Sequence, residues 1–119
     1  MALPDPLPDD PRKWTGWRNY LSEDPYERLC LSMAEAPDHE TIESNCRRLL
    51  VWWQKKLPLR NQPGNPIAQL LRGGFDEAPR RLTQARAELT NPESRARVDE
   101  ALTVQRLERI RTRFKSLLE

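Results

Sequence analysis

Apolar residues recur along this chain at intervals of three and four, the period of a helix face, and no stretch alternates apolar with polar as a strand would. The clearest run is Ile42, Cys46, Leu49, Leu50, Trp53 and Leu57, which predicts a long helix capped by Asp38 and ended by Pro58. Leu82, Ala85, Arg86 and Leu89 predict another, with Asp76 as its cap and Pro79 in its first turn, where a missing N–H is harmless. Asn91-Pro92 then restarts the chain as a final helix, with Asn91 as cap and Pro92 at the first position. No Pro or Gly interrupts it as far as Leu118, and Val98, Leu102, Leu107, Ile110, Phe114 and Leu117 lie along it. That last run fits either a helix folding back on the bundle or a short coiled-coil seam.

Upstream, Asp24-Pro25 with Glu27 predicts a short helix whose Tyr26, Leu29 and Cys30 face inward. Trp14, Trp17 and Leu21 share one face of an N-terminal helix over 13–23. Three prolines and a glycine make 58–66 a loop. A short helical turn over Ile67 to Arg72 follows, and Gly73-Gly74 breaks it.

These elements predict an all-α helical bundle, one small domain in 119 residues. Residues 1–12, rich in Pro and Asp, read as an extended tail unable to bury apolar surface. The absence of a signal-like or membrane-spanning apolar run leads to the expectation of a cytoplasmic protein.

The net charge is only +2, yet residues 1–40 hold 4 bases against 9 acids, whereas residues 80–119 hold 10 against 6. An acidic front and a basic back suit either a solvated helical surface or an acidic partner. On the second helix, Arg47, Arg48, Lys55 and Lys56 fall on the outer surface or in the last turns. Arg109 and Arg113 flank the apolar run of the final helix. Adjacent Trp52 and Trp53 cannot both face one core, which leaves one of them for a second element or a partner. Trp14 and Trp17 offer either packing or an aromatic anchor. Cys30 and Cys46 read as buried thiols, with a disulfide open if the first two helices pack antiparallel there. A single histidine, no close Cys pair, no Gly-rich phosphate loop and no nucleophile beside a base argue against a metal, a cofactor or an enzyme.

The segment Asp24-Pro25-Tyr26-Glu27-Arg28-Leu29-Cys30-Leu31-Ser32 resembles the start of a J-domain. Leu89-Thr90-Asn91-Pro92-Glu93-Ser94-Arg95-Ala96-Arg97-Val98-Asp99, preceded by Leu82-Thr83-Gln84-Ala85, resembles its end. J-domains are the modules by which DnaJ-type co-chaperones engage DnaK-type ATPases. The resemblance covers residues 24–99. It implies an antiparallel hairpin of the second and third helices, with 13–23 and 100–119 as helical additions. It also implies a His-Pro-Asp tripeptide just after the second helix, where this chain has Gln54-Lys55-Lys56. Lys56 would meet the ATPase's arginine with a like charge, and Lys55 removes the proline that fixes the loop.

The expected function is therefore a non-catalytic interaction or scaffolding module on a degenerate J-like domain. Its partner-binding candidates are Trp14, Trp17, Trp52, Arg47, Arg48, Lys55, Lys56, Arg109 and Arg113. Two alternatives stand beside it: residual docking of a DnaK-type ATPase without stimulation, and nucleic-acid binding by the basic C-terminal helices. A membrane partner is not expected.

Overall fold

The computed structural model describes residues 3–118, among which every regular element is helical. Met1 and Ala2 of the expected tail, and Glu119 of the expected extension, lie outside the described residues. Five α-helices follow one another: α1 (Pro25–Arg28), α2 (His39–Lys56), α3 (Pro66–Leu71), α4 (Gly74–Thr90) and α5 (Pro92–Leu118).

Local chemistry sets most of the boundaries. The Asp24 carboxylate accepts the Tyr26 N–H at 2.8 Å and starts α1. That helix stops within one turn because Cys30 turns left-handed, at φ 59°. The Leu31 N–H then reaches the Tyr26 carbonyl and the Cys30 N–H the Glu27 carbonyl, both at 2.9 Å, the paired bonds of a Schellman cap. Asp38 caps α2 through the Thr41 N–H at 2.8 Å. Asn91 caps α5 by accepting from Glu93 at 3.0 Å and Ser94 at 3.1 Å.

Several expectations need correction. The N-terminal segment forms no α-helix; it makes 3-10 turns over Pro11–Lys13 and Gly16–Leu21. With three residues per turn instead of 3.6, Trp17 and Tyr20 share the inward face, each 6% exposed, and Leu21 swings out to 60%. The 58–66 loop is also partly regular, since a 3-10 turn over Leu57–Asn61 accepts Pro58 at its start. Leu57, expected on the inward face, is exposed there. Finally, α4 begins at Gly74, and Asp76 lies in its first turn instead of capping it. A Cβ on Gly74 would sit 2.2 Å from the Trp53 ring. The bare backbone brings the helix start against that indole, and Pro79 falls inside the helix.

The core lies between α2 and α4. Glu43 faces Arg86, the Cys46 thiol faces the Leu82 carbonyl at 3.6 Å, and Trp53 meets Phe75. Partners thus descend on one helix as they ascend on the other, so the two run antiparallel. Trp53 is the hub. Its ring lies edge-on to Trp17 (6.2 Å), Tyr20 (5.5 Å), Trp52 (5.2 Å) and Phe75 (6.2 Å), an arrangement that aromatic quadrupoles favour.

Candidate interaction surfaces

Helix α2 carries five of the residues expected to bind a partner, and the chain's own N-terminus lies against three of them, Arg48, Trp52 and Lys56. The Trp52 indole N–H donates to the Pro8 carbonyl at 2.8 Å, and the Trp17 indole N–H donates to the Pro11 carbonyl at 2.9 Å. Trp14 stands edge-on to Trp52 at 5.6 Å, and the Lys56 ammonium lies 5.2 Å from the Trp52 ring centre. Arg48 donates to the Pro4 carbonyl and lies 3.8 Å from Asp5, while Lys56 lies 4.0 Å from Asp9.

The segment expected to be a free tail is therefore a strap, with Leu3 and Leu7 packed on the core and Pro11 buried. Composition predicts the opposite because proline-rich chains lack periodicity. Here their carbonyls, free of any ladder, serve as acceptors for buried indole donors. Trp17 and Trp52 are internal and Trp14 is half-buried, so of the two readings open for Trp14 and Trp17 the packing one holds in this fold. Arg47 and Lys55 remain exposed on α2.

A polar cluster roots α5 on the domain. The Tyr26 hydroxyl donates to the Asp99 carboxylate and accepts from Arg95 Nε at 3.1 Å. Arg95 also donates to the Pro37 carbonyl at 2.8 Å. Burial, followed by the bond to Asp99, raises the Tyr26 phenol above its usual value.

Two arginines outside the expected site residues converge on the Ser22 carbonyl, Arg28 Nε at 2.7 Å and Arg81 Nη2 at 3.0 Å. Arg81 further donates to the Tyr20 carbonyl at 2.7 Å. Burial lowers the Arg28 pKa, and the Arg81 charge adds to the effect. No periodic signal marks these residues, because their acceptors belong to an irregular turn.

Beyond its root, α5 leaves the domain. Every residue from Thr103 to Leu118 is exposed. Among them Leu107, Ile110, Phe114 and Leu117 repeat at spacings of three, four and three, and they are 60, 55, 63 and 79% exposed. Val98 and Leu102, which pack on the core, lie on a different face, roughly 120° round the helix from the apolar run. The final helix thus does not fold back on the bundle; the apolar run faces away from its own domain. Arg113 borders that run and Arg109 lies further round, both exposed and both distant in sequence and element from the α2 cations.

Cys30 lines an open, mainly apolar cleft of about 790 Å³ together with Leu3, Trp14, Gly16, Asn19 and Leu31. Both cysteines are free thiols, so the disulfide left open by the sequence does not form. Burial pushes the Cys30 thiol from 9.0 up to about 11, with a weak opposing bond from Asn19, and burial raises Cys46 as well. At neutral pH Cys30 then carries about a hundredth of the thiolate of a free cysteine. Its alkylation by iodoacetamide should run roughly 100-fold slower in buffer than in denaturant. Equal rates, measured by peptide mass spectrometry, would contradict this placement. The same shifts make the folded state bind protons more tightly than the unfolded state. The contribution of Cys30 is complete below about pH 9 and falls as pH rises toward about 11.

Among the described residues no group of His, Cys, Asp and Glu is placed to hold a metal, and no helix is long and apolar enough to cross a membrane. Comparisons of the chain with models of protein families, with curated proteins and with solved structures return no match.

Proposed function

We propose that this chain is a non-catalytic docking module, a helical domain of degenerate J-like type that presents α5 to a protein partner. The observation that carries this reading is the projecting half of α5, which exposes four regularly spaced apolar residues while its root is held by Tyr26, Arg95 and Asp99. A solvated helix gains nothing from such spacing, whereas a helix-in-groove or helix-on-helix contact requires it. The J-like reading rests on the Asp24–Ser32 and Leu82–Asp99 segments together with the antiparallel packing of α2 on α4. At the place of the missing tripeptide, Gln54-Lys55-Lys56 forms the last turn of α2, and Lys56 is turned toward the strap. This arrangement favours scaffolding over stimulation of an ATPase.

Residual docking of a DnaK-type ATPase is the second reading, favoured by the exposed cations Arg47 and Lys55 on α2. Nucleic-acid binding ranks behind both, because Glu100 and Glu108 interleave with the arginines of α5.

The test uses the tagged protein as bait in lysate of its source organism, with and without nuclease. One stoichiometric protein is expected to survive nuclease treatment and to be lost from the Leu107→Ser/Phe114→Ser double variant, whose circular dichroism should match the parent. Equal capture by parent and double variant would overturn the role of α5. Release of a DnaK-type ATPase by ATP would replace it with the co-chaperone reading, and loss on nuclease treatment would replace it with nucleic-acid binding.

A further inference from the structure

The exposed seam of α5 carries enough information to define its partner's chemistry. In heptad terms Leu107 and Phe114 take the a positions, and Ile110 and Leu117 the d positions. These four residues span an arc of about 80° at the helical period, the stripe of a coiled-coil seam, and Val104 and Leu118 widen the exposed apolar surface to about 140°, interrupted by Arg111. The positions bordering the seam decide between partners. Arg106 and Arg113 stand at g and Arg111 at e, all exposed, with Val104 and Leu118 at the remaining e positions. No acidic residue occupies a border position from 104 to 118, and Glu108, the only acid in that stretch, lies on the outer side at b.

Two copies of this helix cannot pair well through the seam. In a parallel pair Arg106 of one copy faces Arg111 of the other, and in an antiparallel pair the g positions face each other, again Arg against Arg. Like charges at e and g work against association and select a different partner. A lipid surface fits no better, because Arg111 lies inside the arc from Val104 to Leu118 and would be carried toward the hydrocarbon.

Resting on the reading of α5 as the docking element, we infer that its seam receives an amphipathic helix of another protein with apolar a and d positions and carboxylates at e and g. The contact is a short heterotypic coiled coil of about two heptads, with Arg106, Arg111 and Arg113 choosing the partner.

The test is fluorescence anisotropy of the full chain with two labelled synthetic helices. Both carry Leu and Ile at a and d; one has Glu, the other Lys, at every e and g position. The Glu helix is expected to bind at least about tenfold more tightly, by a margin that shrinks with added salt. Arg106→Glu/Arg111→Glu/Arg113→Glu should reverse the preference without changing the circular dichroism, and Leu107→Ser/Phe114→Ser should abolish binding of both helices. Equal affinity for the two helices, absence of binding to both, or a preference that survives the triple substitution would overturn the inference. So would sedimentation of the parent chain as a dimer that the Leu107→Ser/Phe114→Ser pair dissolves, or flotation of the parent, but not of that pair, with phosphatidylserine vesicles. If the double variant abolishes capture from lysate while the two synthetic helices bind alike, only the partner's chemistry is wrong. If capture survives the double variant, the docking role of α5 falls as well.

Discussion

Replacing Trp53 with alanine is expected to remove about 3–5 kcal/mol of folding stability, a large share of the 5–15 kcal/mol typical of a small domain. Trp53 is 1% exposed and touches four aromatic rings from three different parts of the chain. Its removal takes away more than transfer energy. Trp17 and Tyr20 sit on a 3-10 turn with no long helix to hold them, so they cannot collapse into the space without losing their own contacts. The urea midpoint, followed by far-ultraviolet circular dichroism, reads the loss directly. A shift of less than about 1 kcal/mol would show that the aromatic hub is not the keystone of the fold. Gly74→Ala probes the same contact from the other side. Alanine favours a helix over glycine by about 1 kcal/mol, yet the new methyl would lie 2.2 Å from Trp53 Cη2, with the indole itself hemmed in. Overpacking should prevail, with a net loss of about 1–3 kcal/mol.

Tyr26→Phe is expected to cost about 1–3 kcal/mol, because the deleted hydroxyl leaves the Asp99 carboxylate and the Arg95 guanidinium without their shared partner. The ring is retained, so the loss reports the polar cluster and not a cavity. Its local signature distinguishes it from general destabilisation. Amide exchange should quicken over 93–102, where α5 is rooted, more than over α2. Asp99→Asn in the Tyr26→Phe background should add little, since both substitutions break one network. Additive losses would mean that the two groups act independently. Neutral Tyr26 is the form that the fold stabilises, so this contribution holds below about pH 10 and declines at higher pH.

Much of the architecture is legible along the chain. Asp24, Asp38 and Asn91 announce three helix starts, because a capping side chain bonds the backbone two or three residues away and needs nothing distant. Pro25, Pro58 and Pro92 mark boundaries for the same reason, since their fixed φ acts on the adjoining peptides. The 3–4–3 spacing of Leu107 to Leu117 also stands in the sequence, as do the arginines that border it. The N-terminus is where local reading fails. A period of three and a period of 3.6 differ by about half a residue per turn, so Trp14, Trp17 and Leu21 match a helix until Tyr20 is found buried in place of Leu21.

The helical class, the capped starts of α1, α2 and α5, and the composition of the α5 seam can thus be read along the chain, because all follow from interactions within a few residues. Long-range packing is what makes the proline-rich segment a strap over Trp52, starts α4 at Gly74 and leaves the seam facing away from the domain. A buried indole N–H takes whichever carbonyl the fold brings near it, a missing Cβ matters only where another ring arrives, and a helix face is exposed or covered according to what packs beside it.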